Sequence, residues 1–441
     1  MKKIAFVATT LLFLLYAAPL FAQTTPPAPA AVDSGDTSFV LISAALVLMM
    51  TIPGLFLFYG GMVRSKNVLG VFMQSFILAA LISVQWVLWG YSIAFSPGGS
   101  MSGGLSWFGL SGVTLVPNID YAPTIPHQAF MVFQMMFAVI TPALMTGAFA
   151  ERMKFKTFLI FSLLWATFIY DPLAHWVWGV GGWLRNLGAL DFAGGTVVHI
   201  SSGVSALVAV LLIGKRRGHG SEPMAPHNVP FTVIGAGLLW VGWFGFNAGS
   251  ALGAGGLSTS AFVVTNTAAA AATLSWIFAE WIIRGKPTTL GAASGAVAGL
   301  VAITPGSGYV GPMSAVLIGG AAGVICYTAC MMKSRFGYDD ALDVVGVHGV
   351  GGIFGALATG LFAQKAINAA GADGLFFGNP GLLTSQLIAV GATVAFAAAG
   401  TAVILLVLKA IMGLRVNDDD EQLGLDLSQH NESAYNIGSP E

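Results

Sequence analysis

Two histidines, His199 and His348, are the residues whose type and setting point most directly to chemistry. Each follows an aspartate by eight residues (Asp191 and Asp340) and precedes a glycine by four (Gly203 and Gly352). A neutral imidazole offers a donor and an acceptor, carries no fixed charge and can take up or release a proton. Along a helix each ring lies about 12 Å from its own aspartate. If the two helices start from opposite faces of an apolar layer about 30 Å thick, the depths of the rings differ by only about 6 Å. The competing reading is two unrelated core histidines, each bonded to a backbone carbonyl. Two equivalent positions with no other mid-depth titratable group favour a working pair. Asp191 reads both as a helix N-cap and as a source of negative potential at the outer mouth.

The acidic residues are expected in loops or near span ends. Glu280 is the deepest exception, with Arg284 one turn later as its expected partner. A proton- or sodium-coupled carrier needs acidic relays or dense oxygen ligands, so that class is disfavoured. No nucleophile, base and carboxylate share one depth, so the chain does not read as an enzyme, and no cofactor or metal is expected. Cys326 and Cys330 stand four apart in one apolar run and read as packing residues, since a zinc site wants three or four ligands.

The elements that position these residues are membrane spans. The 441 residues are 56% hydrophobic and only 8% charged, against about 25% charged in soluble domains. Such a chain cannot solvate its own surface, so its partner is a lipid bilayer. A net charge of -1 gives no reason to expect nucleic acid. Apolar runs recur at helical length, and the fold class is an all-α membrane protein. Eleven spans are expected, with cores near 38–60, 69–95, 127–149, 156–174, 196–214, 229–251, 258–283, 288–304, 308–332, 341–364 and 382–410. The Lys and Arg residues fall 14 to 2 into alternate loops, which places the N-terminus outside and the C-terminus in the cytoplasm.

A weak internal repeat supports the same picture. Gly54-Leu-Phe-Leu-Phe-Tyr-Gly-Gly61 in span one resembles Gly242-Trp-Phe-Gly-Phe-Asn-Ala-Gly249 in span six. Five spans per copy is an odd number, so spans 1–5 and 6–10 are expected as inverted repeats, with the substrate path near their shared midplane. Gly291, Gly295 and Gly299 mark a face for close helix packing.

Several segments carry a family resemblance. Asp191-Phe-Ala-Gly-Gly-Thr-Val-Val-His199, Trp243-Phe-Gly-Phe-Asn-Ala-Gly-Ser250 and Asp343-Val-Val-Gly-Val-His348-Gly resemble the ammonium transporter (Amt/Mep/Rh) family. So do Phe58-Tyr-Gly-Gly-Met-Val-Arg-Ser-Lys-Asn67 and Gly147-Ala-Phe-Ala-Glu-Arg152. The resemblance runs from about residue 36 to the C-terminus. It implies a homotrimer of eleven-span protomers, each with its own pore. By it, Trp178 and Ser250 form an outer ammonium site with Phe137 beside them, and Phe137 and Phe246 stack as a gate. Trp243 lines the pore near His348, His199 and His348 are the twin histidines, and Asp191 supports the outer site. Trp178 paired with Ser250 is similar to the Amt branch, and we expect the inner membrane of a Gram-negative bacterium. The tail from Gly413 through Ala434-Tyr435 is similar to the family's regulatory C-terminus, which implies a PII-type signal protein as partner. Asn431 after His430 departs from the family's usual glycine.

The expected organisation is a signal peptide at 1–22, a periplasmic lead-in at 23–37, a channel domain at 38–412 and a cytoplasmic regulatory tail at 413–441. The alternative keeps 1–22 as an uncleaved span. The expected activity is ammonium recruitment at the outer aromatic site and conduction of ammonia, with or without a separately relayed proton. The rival functions are a carrier of another small neutral solute and an ammonium sensor signalling through the tail.

Overall fold

The computed structural model describes residues 31–435. Residues 1–30 fall outside them, and with them the signal-peptide reading. Eleven helices are long and apolar enough to cross a membrane: α1 (Ser34–Met62), α2 (Ser65–Phe95), α3 (His127–Phe149), α4 (Phe155–Asn186), α5 (Gly195–Ile213), α6 (Val229–Gly249), α7 (Gly256–Arg284), α8 (Thr289–Gly306), α9 (Pro312–Phe336), α10 (Val345–Phe362) and α11 (Pro380–Met412). The span count matches the hydropathy reading.

Boundaries moved where polar caps outweigh hydropathy. Helix α1 starts at Ser34, inside the stretch read as a lead-in, because the Asp33 carboxylate accepts the Asp36 N–H at 2.8 Å. Helix α4 runs past residue 174 to Trp178 before a short turn and a last helical piece, Trp183–Asn186. Trp178 therefore ends a helix and does not sit in a loop. This extension also places Asp171 well inside a span, fully buried, against the expectation that acids lie only at span ends. The loop between α2 and α3 holds a small antiparallel ribbon, β1 (Pro117–Asn118) with β2 (Ala122–Pro126), the sole named strand pair among the described residues.

The glycine face of α8 packs on α7, where a methyl group at Gly295 would press on Trp276 and one at Gly299 on Ala268. Glu280 does not pair with Arg284. Its carboxylate accepts the Thr288 N–H at 3.0 Å and the Thr288 hydroxyl, fastening the start of α8. The Arg284 guanidinium instead meets Met331 Sδ.

After α11 the tail forms two short helices, α12 (Asp418–Leu423) and α13 (Leu425–His430). It lies across the loops α1–α2, α3–α4 and α5–α6. Gly70 N–H donates to Asp426 at 2.8 Å, Val416 N–H to the Arg152 carbonyl at 3.0 Å, and Arg217 N–H to Glu421 at 2.7 Å. Those three loops and the tail thus share one end of the bundle, as an odd number of spans requires. Asn431 has φ 55° and ψ 37°, the left-handed conformation that glycine adopts freely and Asn tolerates better than most residues. The departure from glycine therefore leaves this turn intact.

Candidate functional site

Asp191 and Asp340 each start a central helix. The Asp191 carboxylate accepts N–H groups of Gly194, Gly195 and Thr196 at 2.6–2.7 Å, and also the Thr196 hydroxyl. It is a saturated N-cap that fixes the first turn of α5. Asp340 is a lighter version: Oδ2 accepts the Val345 N–H at 2.8 Å, while Oδ1 is buried without a partner. The histidines follow on widened, π-type turns, Gly195–Ile200 and Val345–Val350. Such turns recur at functional sites.

The glycines four residues beyond each histidine explain how the two helices meet. A methyl group at Gly203 would overlap the backbone of Gly349, and one at Gly352 would press on the Cβ of His199. Helices α5 and α10 cross in backbone contact, each glycine opposite the other helix's histidine turn. The result is an Nδ1–Nδ1 distance of 3.3 Å between His199 and His348, with ring centroids 5.3 Å apart. Two nitrogens at that distance need one donor and one acceptor. If both rings are neutral, one carries its proton on Nδ1 and the other on Nε2. The Nε2 atoms then present one acceptor and one donor away from the shared bond. Nε2 of His199 is buried with no partner among the described residues. Among the described residues neither ring bonds to a backbone carbonyl.

The surroundings of the pair are apolar. Met50, Leu55, Phe58, Ile140, Leu239 and Val297 line the same cavity, together with Trp243 and Phe246. It holds about 10 Å³ for the centre of a water-sized molecule, room for roughly one. Trp243 lines this cavity with His348, but its ring stacks over His199, centroids 5.4 Å apart. Its indole N–H donates to Thr304 Oγ1 at 2.8 Å, which satisfies its polar edge and locks the ring.

On the side away from the tail, aromatic rings continue the line. Phe246 packs against Phe137 with centroids 4.3 Å apart and ring planes tilted by 41°, not stacked, and Phe137 meets Trp178 edge-on at 5.9 Å. The indole N–H of Trp178 donates to the Asp191 carbonyl at 2.8 Å, and Arg185 bonds the Trp178 carbonyl at 2.7 Å. The Ser250 hydroxyl donates to the Phe246 carbonyl at 2.8 Å, which leaves its oxygen free to accept. Phe137, Trp178, Asp191 and Ser250 line a vestibule of about 530 Å³. At the tail end a second cavity of about 640 Å³ reaches Ser294 and Asp343, each within about two helical turns of a residue of the histidine cavity.

Sequence reasoning missed several lining residues. Gln134 lines the outer vestibule with its carbonyl oxygen buried and unpartnered. Phe133 packs edge-on against Phe137 at 5.0 Å. The aliphatic lining left no signal, because apolar residues inside apolar helices look alike. Gln134 was discoverable as an amide inside a span.

An eleven-helix membrane bundle with a polar pair enclosed between two vestibules defines a membrane transport protein. Comparison with known proteins makes this specific. The profile of the Ammonium Transporter Family matches residues 38–435. The chain is 55% identical to an ammonium transporter of Bacillus subtilis over 91% of its length and 98% of the relative's. It is 47% identical to an ammonium transporter of Aquifex aeolicus over 95% and 97%. The crystal structure of Saccharomyces cerevisiae Mep2 superposes with a TM-score of 0.84 at 36% identity, covering 91% of this chain and 96% of that one. A structure described as a sensor Amt protein aligns with a TM-score of 0.82 at 30% identity, over 90% and 98%. The chain belongs to the ammonium transporter family, a family of transporters and not of enzymes, and its substrate is ammonium.

Proposed function

We propose that the chain recruits ammonium in the vestibule lined by Trp178, Phe137 and Ser250, and conducts it as ammonia past His199 and His348. The observation that carries this reading is the 3.3 Å histidine contact inside a narrow apolar cavity. An aromatic face attracts an ammonium ion by up to about 2 kcal/mol once water is excluded. The Ser250 oxygen accepts one of its N–H groups. Beyond lies the tilted Phe137–Phe246 pair, where both rings are 1% exposed. A bare cation there forfeits several kcal/mol of hydration, more than the aromatic site returns. Loss of a proton removes most of that penalty. Ammonia then meets the free Nε2 atoms, one able to donate and one able to accept. The proton stays outside or is relayed separately along the imidazole pair.

Asp191 supports the outer site in this reading by holding the start of α5 and, through its carbonyl, the Trp178 indole. The 14-to-2 distribution of basic residues supports an outward N-terminus and a cytoplasmic tail, and hence a bacterial inner-membrane protein. On that orientation 38–412 is the channel domain and 413–441 the regulatory tail, the partner being a PII-type protein and the assembly a homotrimer. A second reading, an ammonium sensor, draws support from the docked tail and from the likeness to a structure described as a sensor Amt protein. Recording current and ammonia flux together on reconstituted protein tests the first reading. Flux through the wild type is expected. Tail-dependent partner binding without flux favours the sensor.

A further inference from the structure

Asp171 has no part in the mechanism above, yet it is 0% exposed inside α4. Its one hydrogen-bond partner among the described residues is Gln85 of α2, which is 1% exposed and donates from Nε2 to Oδ2 at 2.7 Å. The opposite halves of the two groups, Asp171 Oδ1 and Gln85 Oε1, are both buried acceptors without a partner. No Lys or Arg forms an ion pair with Asp171 among the described residues. Neither titratable neighbour on α4 directs a hydrogen bond at the carboxylate. His175, one turn on, directs its ring nitrogens to the carbonyls of Ala94 and Gly99 at 3.0 and 2.8 Å. Tyr170 is adjacent on the same helix. The remaining groups of this cluster are Thr167, which receives Gln85 Nε2 at 3.3 Å, and Trp89, whose indole N–H donates to Thr167 at 2.9 Å.

An ionised carboxylate in this place would have one neutral donor and no ion-pair partner among the described residues, a costly arrangement in a dry interior. A proton on Oδ1 changes the accounting. The acid then has an O–H to offer the unpartnered Gln85 Oε1 while Oδ2 still accepts from Nε2. We propose that Asp171 and Gln85 form a membrane-embedded proton-binding site, in which a carboxyl group held protonated at neutral pH is paired with a carboxamide and pins α4 to α2. The protonation claim does not depend on the transport reading, because it is measured by spectroscopy on the resting protein.

The test is infrared spectroscopy of the full chain in lipid at neutral pH, comparing wild type with Asp171→Asn and Gln85→Leu. Asparagine reproduces both hydrogen bonds of the protonated acid, donating from Nδ2 to Gln85 Oε1 and accepting at Oδ1. The expected result is a protonated-carboxyl stretch in wild type that vanishes in Asp171→Asn, with folding and ammonium uptake kept. In Gln85→Leu the band persists but moves, because the acid has lost its amide partner. Carboxylate bands in the difference spectrum overturn the proposal. So does a band that Gln85→Leu leaves in place, or an Asp171→Asn chain that fails to fold.

Discussion

Replacing His199 with aspartate puts a fixed negative charge where the account requires none. The ring centroids of His199 and His348 are 5.3 Å apart, so a cation beside His348 would sit at about that distance from the new carboxylate. At an effective dielectric of about 20, unit charges at that separation attract by about 3 kcal/mol. That offsets much of the several kcal/mol that excludes a dehydrated cation, and corresponds to a rise in potassium occupancy of roughly 150-fold. The assay is potassium-driven current through proteoliposomes carrying wild type or His199→Asp at equal protein density. Wild type should pass no potassium current, and the variant should pass a clear one. A variant that folds, moves ammonium and still rejects potassium would refute the argument that dryness, and not size, excludes the ion.

Other outcomes follow from individual contacts. Trp178→Leu removes the aromatic face of the outer site, so half-maximal uptake should need up to roughly 30-fold more ammonium, measured as labelled methylammonium uptake against concentration. Asp340 precedes α10, and burial pushes its carboxyl up from 3.8 to about 6 despite Lys333 nearby. Its folded-state value exceeds its unfolded value, so its contribution to stability is complete below 3.8 and is lost as pH rises through about 6. Thermal stability of the purified protein should therefore increase on acidification from neutral to about pH 5, and Asp340→Asn should abolish that increase while stabilising the protein at neutral pH by up to about 3 kcal/mol. Asn431→Val forces a branched side chain into the left-handed region, at about 1–2 kcal/mol. Limited proteolysis should find the tail cut faster in this variant, and Asn431→Gly unchanged.

Span number was legible because it rests on apolar runs of helical length, which the bilayer enforces strongly, and the same helical rise anticipated that the two histidines meet. The aspartate–histidine–glycine spacing was legible as a repeat, but its meaning was not. Only the crossing of α5 and α10 shows that Gly203 and Gly352 are spaces for the opposite helix. Glu280 was assigned a partner by helical spacing, whereas Thr288, across the turn into α8, satisfies it. Local spacing rules cannot see such a contact. Asp171 was misplaced for a related reason: hydropathy ended α4 near residue 174, although Trp176, Val177 and Trp178 continue the helix. The contact of Phe137 with Phe246 joins α3 to α6, and no period in either helix marks it. In a chain with 30 phenylalanines, the family resemblance, and not the pattern, singled those two out.

In the mechanism proposed above, the ion is recruited as a cation outside and travels uncharged inside. Wild-type protein in liposomes, given ammonium with a large excess of potassium, measures this most directly. Ammonium uptake should be undiminished and potassium should carry no current. Potassium that competes for passage, or crosses alongside, would contradict it.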